Sequence, residues 1–478
     1  MAVSELPIPN IAGVNTGASQ CISRALEMVP QDSRTAGWLL SLLGRIAGSQ
    51  ERDYEAAATA FGRALEIARR EDDPVLELKT IAEESYVGMW HCKWLEILDK
   101  APRALEIAKI VDDPVWELLA RGGAIAAEMA TGNRDADRRD VSEGLVLAER
   151  LRDRQLLCGT LYKATWLAES DGDWQTAHIL IDQGLELLPL DPRLLASKTL
   201  VLYRLGDYEQ GGTFLERCLE AMRRVEAGPN FETSSISGLI PLIERISGVH
   251  RHHDEARTAA KVVIASDNAM PLISGFVTVR LTLDAVNSGD TALAAEQYTA
   301  LGSLQGTFMN LFSIFADHLL GLTARTMGDI DRAVDHFEDT LEFCRAAGYR
   351  PEVASSCSDY ADTLLDRIGR GERAKAMELL DESLTISTEL GMRPLMEQVT
   401  ELQSRAESSP ARTPAYPDGL TEREVEVLRL VSGGKMTGRS AKSYSSASRL
   451  WATTSETSST RPIPPTALRP PPTPPATG

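Results

Sequence analysis

Four stretches of this 478-residue chain hold side chains of the kinds used in metal binding, nucleophilic catalysis, phosphate binding or ligand stacking. His250-Arg251-His252-His253-Asp254 is the densest histidine cluster, and imidazoles beside a carboxylate are what zinc takes as ligands. Adjacent residues on a helix do not face one another, and the intervening arginine repels a cation, so the segment reads as an exposed helix start. His91-Cys92-Lys93-Trp94 sets a thiol next to an imidazole. Sequence neighbours rarely reach nucleophile–base geometry, and the stretch fits a turn between two helices. Gly434-Lys435-Met436-Thr437 has the lysine of a phosphate-cradling loop but no Ser or Thr directly after it, no preceding strand and the wrong glycine spacing. Trp174 and Tyr208, at corresponding turn positions, read as packing residues between repeats rather than ligand stackers. No catalytic or metal set survives, so the expectation is a non-enzymatic protein with no cofactor.

The elements behind these residues repeat. R-A-L-E-I-A-R-R-E-D-D-P-V-L-E-L from Arg63 returns as R-A-L-E-I-A-K-I-V-D-D-P-V-W-E-L from Arg103, an offset of 40. Weaker copies begin at Gly144 and Gly184, and Ala333–Pro351 aligns with Ala376–Pro394 at an offset of 43. Asp-Asp-Pro ends one helix and puts proline in the first turn of the next. Gly172-Asp173-Trp174, Gly206-Asp207-Tyr208, Gly289-Asp290 and Gly328-Asp329 mark further helix starts. Small residues (Ala64, Ala104, Ala177, Ala333, Ala376) sit where close helix contact needs them. Each unit buries its face only against its neighbours. The fold class is therefore all-α, a right-handed superhelical array of antiparallel helix pairs over residues 31–405, roughly nine or ten pairs. The G-D-[WY] pattern resembles tetratricopeptide repeats. Residues 1–30 read as an irregular N-terminal segment, and the units between Asn230 and Thr326 are the least clear. Met309–Leu320, apolar on most faces, is expected deep in the array.

Composition agrees. A 43% hydrophobic share with only 5% aromatic residues suits a helical protein whose core is Ala and Leu. No membrane span or signal peptide is legible, and six scattered cysteines without a CxxC pair imply reduced thiols and a cytoplasmic location. Residues 1–437 carry 45 basic and 68 acidic residues, a net charge of −23. Such a body repels a phosphate backbone, so DNA binding would need a separate basic module.

Residues 406–419, with three prolines, read as a linker. Beyond it Thr421 and Glu424 form a capping box, with Leu420 and Val425 spaced as its hydrophobic staple, and Gly433-Gly434 ends the helix. The whole string L-T-E-R-E-V-E-V-L-R-L-V-S-G-G resembles the opening of the LuxR-type helix-turn-helix domain. Leu420, Thr421, Arg423, Glu424, Glu426, Val427, Leu428, Leu430 and Gly434 occupy that pattern's positions. The resemblance implies a large LuxR-type bacterial transcriptional regulator, in which a tetratricopeptide-like sensor region takes a protein or small-molecule effector on its concave face and controls the DNA-binding module. Regulators of this kind carry an ATPase ahead of the repeats; here no phosphate-binding loop is present.

The module stops after its first helix, residues 420–437. Residues 438–478 are Pro/Ser/Thr-rich, with eight prolines from Pro462 onward, and read as a disordered tail. A shifted frame explains that tail. Reading the third base of each codon with the first two of the next, Trp451-Ala452 forces glycine, and the run from Leu450 permits V-G-N-H-V-R-N-I-L, which looks like the family's recognition helix. Thr466–Pro474 permits R-T-E-A-A-A-Y-A, and Ser443–Ala447 permits L-F-I-S. The expectation is a helical sensor or protein-interaction region with an incomplete DNA-binding domain, so no DNA-binding residue is expected in this chain. The alternative is a stand-alone scaffold for protein or peptide partners.

Overall fold

The Asp-Asp-Pro punctuation works as its chemistry requires. Asp72 and Asp112 take the left-handed conformation (φ 49° and 51°) that ends a helix. Asp73 and Asp113 then cap the next one, each side-chain oxygen accepting from a first-turn backbone N–H, with Pro74 and Pro114 at the first helical position. Arg152-Asp153 repeats the turn without the proline, and Asp191-Pro192 the cap with it. In the Gly-Asp turns, Gly172, Gly206, Gly289 and Gly328 have φ between 66° and 80°, and Asp173, Asp207, Asp290 and Asp329 cap the helices that follow.

A computed structural model of the protein describes residues 17–266, 269–366 and 372–408. Among the described residues the chain forms twenty α-helices. They are α1 (Ala18–Glu27), α2 (Arg34–Ile46), α3 (Tyr54–Arg70), α4 (Pro74–Trp90), α5 (Trp94–Val111), α6 (Pro114–Thr131) and α7 (Arg134–Leu151). Then come α8 (Arg154–Asp171), α9 (Trp174–Leu187), α10 (Pro192–Arg204), α11 (Tyr208–Arg223), α12 (Phe231–Ser247), α13 (His253–Ile264) and α14 (Pro271–Ser288). The last are α15 (Thr291–Leu301), α16 (Ala316–Thr326), α17 (Ile330–Ala347), α18 (Arg350–Asp366), α19 (Glu372–Leu390) and α20 (Arg393–Ser408). From α1 to α19 consecutive helices pack as neighbours, the expected all-α array, and Gln403 Nε2 of α20 donates to Asp381 Oδ1 of α19. The five alanines read as contact points, at 64, 104, 177, 333 and 376, are each 0% exposed. No described helix is long and apolar enough to cross a membrane.

A second set of contacts joins alternate helices: α2 with α4, α4 with α6, α6 with α8, α10 with α12, α12 with α14. The even-numbered helices thus form one layer covered by the odd-numbered ones. Their composition fits. In α4 and α6 residues are buried on nearly every face, whereas α3 keeps an outer polar side.

Two departures from the sequence reading stand out. The N-terminal segment read as irregular contains α1, because Ile22 buries its face against Leu42 and Ile46; the Pro- and Gly-rich residues ahead of it concealed a short amphipathic run. The array is also interrupted at a two-stranded antiparallel hairpin, β1 (Phe308–Met309) and β2 (Ile314–Phe315), with Phe308 opposite Phe315. Its residues are as deep as expected, Phe312 being 0% and Phe315 2% exposed, but they are not helical. Arg204 Nη2 donates to the carbonyls of Phe312 and Ser313, and Glu352 Oε1 accepts from the Phe315 N–H, so side chains from elsewhere satisfy backbone groups a helix would have paired. The hairpin's own Asn310 Nδ2 in turn donates to Ala126 O of α6. Helix α20 runs three residues past 405 to Ser408. The rest of the linker, the 420–437 helix with all nine motif residues, and the 438–478 tail lie outside the described residues.

The chain also returns on itself. Trp174 Nε1 donates to Leu390 O (2.8 Å), Tyr349 Oη to Met129 O (2.6 Å) and Arg393 Nε to Leu205 O (2.8 Å). The turns at Gly132, Gly172 and Gly206 meet Phe343, Leu390 and Pro394 in order. Trp174 therefore packs as expected, but against a helix 216 residues away as well as its own repeat. Gly172 sits at that meeting point: a Cβ there would stand 2.7 Å from Leu390 Cδ2. Gly172→Ala is expected to destabilise the α8–α9 turn by about 1–2 kcal/mol of left-handed strain plus the displaced leucine. Gly248→Ala, at φ 69° with nothing within 4 Å, bears the strain alone. Hydrogen exchange at the two turns should show the larger loss at Gly172; equal losses would mean that the Leu390 contact contributes nothing.

Candidate functional site

The even-numbered layer encloses a cavity of ≈ 620 Å³, within the usual range for a small-molecule site. Residues of α2, α4, α6, α8, α10, α12 and α14 line it, and of the odd-numbered described helices only α5 reaches it, through Trp94. The hairpin supplies further lining through Phe308–Leu311. Chain local to α2 is adapted to this. A π-helical turn at Ala47–Glu51 carries Ser49 and Gln50 to the lining. Gly48 allows it, since a Cβ there would come 2.2 Å from Val87 Cγ1.

One wall is aromatic. Tyr86 and Trp90 lie a helical turn apart on α4, and the rings continue through Phe231 and Phe276 to Phe312 behind the lining, with successive centroids 6.2, 6.3, 5.9 and 5.2 Å apart and every pair edge to face. Trp116 lines the cavity from α6.

The polar lining is mostly paired. Arg45 meets Glu83 at 3.1 Å. Arg193 grips Asp191 through two bonds of 3.0 and 2.6 Å, and its guanidinium lies over the Tyr162 ring at 5.3 Å. Lys163 on α8 differs. Its side chain lies along α6 at Gly122, where a Cβ would be 3.1 Å from Cε and 3.4 Å from Nζ. Among the described residues it makes no ion pair. Burial, and then the neighbouring Arg193, pushes its ammonium down to about 8, which still leaves it largely charged at neutral pH. Glu232, in the first turn of α12, also lines the cavity, beyond salt-bridge reach of Lys163. Four lining residues hold buried polar atoms without a protein hydrogen bond: Trp94 Nε1, Tyr162 Oη, Trp166 Nε1 and Asn310 Oδ1.

The residues singled out from the sequence lie elsewhere, apart from Cys92 and Trp94, which line the cavity. His91 closes α4 and donates from Nε2 to Gly48 O, 2.9 Å away. Burial pushes the Cys92 thiol up to about 12, the reverse of what a nucleophile needs. The turn expected there is present, with Cys92 at φ 55°. His252 and His253 start α13; His250 and His253 both contact Glu244 Oε2, at 3.3 and 3.4 Å. Tyr208 is 40% exposed, its ring 5.5 Å from that of Tyr203. Among the described residues one group has metal-ligand spacing, Asp317, His336 and Asp339. Both His336 nitrogens are already engaged, by Asp317 Oδ1 (3.2 Å) and Tyr298 Oη (2.8 Å).

Sequence reasoning missed Lys163 and the aromatic wall. A signal existed: Lys163 is set in G-T-L-Y-K-A-T-W-L, where every neighbour at helical spacing is apolar or small. The chain matches no family model and no curated protein.

Proposed function

We propose that this chain is the effector-sensing helical region of a LuxR-type transcriptional regulator whose DNA-binding domain is incomplete. The observation that carries the sensing half is the lined cavity inside the even-numbered layer; the regulator half rests on the string from Leu420 to Gly434. The hairpin, held by Arg204 and bonded through its Asn310 to Ala126 O, occupies the interior beside the cavity, which favours a compact small molecule over an extended peptide as effector. DNA reading needs a recognition helix in the major groove. The charges of the motif helix, Glu422, Glu424 and Glu426 against Arg423, Arg429 and Lys435, nearly cancel, so it offers a duplex little attraction.

A selection from a randomised duplex library tests the reading, with this chain and a version whose frame is restored after codon 437. The restored protein is expected to enrich a defined sequence and the present chain none, retaining at most weak, salt-sensitive contacts through its five tail cations. Failure of the restored protein to enrich any sequence would favour the scaffold reading. Equal enrichment by both would show that the missing helices are not needed.

A further inference from the structure

We propose that the cavity of the even-numbered layer is a site for a small organic monoanion, an aryl or acyl carboxylate or its equivalent, with its anionic group on Lys163 and its apolar body against the aromatic wall. This rests on the reading of the array as an effector-binding region and names the chemical class of that effector.

The argument is one of uncompensated charge in an apolar enclosure. Each lining arginine already has its carboxylate, Arg45 with Glu83 and Arg193 with Asp191. Lys163 has none among the described residues, and it lies beside a second cation whose field raises the cost of leaving it bare. Lys163 is half-buried rather than fully enclosed, and a partly desolvated charge without a partner gains from anything that neutralises it. An incoming anion does so and gains a charge-assisted hydrogen bond in return. Gly122 matters here, because any side chain would displace the lysine from its position over α6. The same cavity's lining also includes the rings of Trp116, Tyr86, Trp90 and Phe231. Trp94 Nε1 is an unused donor and Asn310 Oδ1 an unused acceptor, enough to orient one further polar group of the ligand. The chain's net charge of −19 works against any anion at long range, so a preference for an anion must arise locally.

The test uses the full chain and two fluorescent probes with the same aromatic body. Anilinonaphthalene sulfonate carries an anion, and phenylnaphthylamine carries none. One sulfonate per chain is expected to bind, at least about tenfold more tightly than the uncharged amine, the value of one charge-assisted contact. Lys163→Met should abolish that preference while leaving binding of the amine unchanged, which also shows that the variant is folded; Lys163→Arg should keep it. Equal affinity for the two probes, or a preference that survives Lys163→Met, overturns the anion site and leaves a cavity for neutral effectors. If neither probe binds at a single site, the effector-binding reading of the array falls with it.

Discussion

Replacing His318 with alanine is expected to destabilise the protein by about 3–5 kcal/mol, the range for removing one partner from a buried ion pair. His318, 3% exposed on α16, places Nδ1 2.9 Å from Glu352 Oε1 and Nε2 2.9 Å from Asp359 Oδ2. Glu352 also accepts from the backbone N–H of Phe315 (2.9 Å), and Asp359 takes two bonds from Arg245 at 2.7 and 2.8 Å. One imidazole therefore ties α12, α16, α18 and the hairpin together. Burial alone would lower its pKa, but the two carboxylates hold it up to about 9, while Arg245 and His318 keep Asp359 well below the usual carboxylate range against its own burial.

The sign of the pH effect follows. A histidine raised from 6.5 to about 9 contributes stability that is complete below pH 6.5 and lost as pH rises through 9, about 3 kcal/mol in all. The buried acids Glu169, pushed up to about 7, and Glu128, to about 8, both chiefly by desolvation, weaken the fold over an overlapping range, but do so in wild type and variant alike. Urea unfolding followed by circular dichroism should show the gap between wild type and His318→Ala closing from pH 6 to 10. A gap that stays constant would mean that His318 is not charged in the folded protein.

Phe312→Ala should cost a similar amount, about 3–5 kcal/mol. This ring is 0% exposed at the hairpin tip, edge to face with Phe276 at 5.2 Å. It lies against Gly238 of α12, where a Cβ would be 2.4 Å from Phe312 Cζ and 3.0 Å from Phe276 O. Gly238→Ala alone overpacks, by about 1–3 kcal/mol. In the Phe312→Ala background the same change meets an open space, so its cost should fall by more than 1 kcal/mol. Additive effects of the two changes would show that the hairpin tip and α12 do not bear on one another.

Much of the array was legible because its signals are local. An aspartate cap, a proline at the first helical position and a left-handed glycine act within one turn of chain, so Asp73-Pro74 and Gly172-Asp173 announce helix ends without help from the rest of the fold. The alanines at 64 and 104 were legible too, because repetition shows which positions must stay small. The hairpin was not. Met309–Leu320 is apolar on most faces, and a short, mostly apolar run has no periodicity by which strand and helix can be told apart. Arg204 and Glu352, which make the non-helical backbone tolerable, come from distant segments. The cavity was hidden for the same reason. Tyr86, Trp90, Lys163 and Phe231 belong to three different helices, and which helix of each pair faces inward is decided by stacking. The motif of residues 420–434 was the most specific signal in the chain, yet it lies outside the described residues.

The contacts from Trp174 to Leu390, Tyr349 to Met129 and Arg393 to Leu205 bear on how the chain acquires its structure. In an open solenoid each unit depends only on its neighbours, so folding can start anywhere and spread, and stability grows unit by unit. Here hydrogen bonds span 188 to 220 residues, and sequence separation of that size slows folding because the intervening chain must be ordered before the contact repays it. During synthesis the turns at Gly132, Gly172 and Gly206 emerge long before their partners, and at about 5–20 residues per second they wait of the order of ten seconds or more with their edges uncovered. The last pairs, α17 to α20, thus act as a clasp on helices made much earlier. Chains ending short of Leu390 should accumulate as partly folded, aggregation-prone species rather than as shorter versions of the same array.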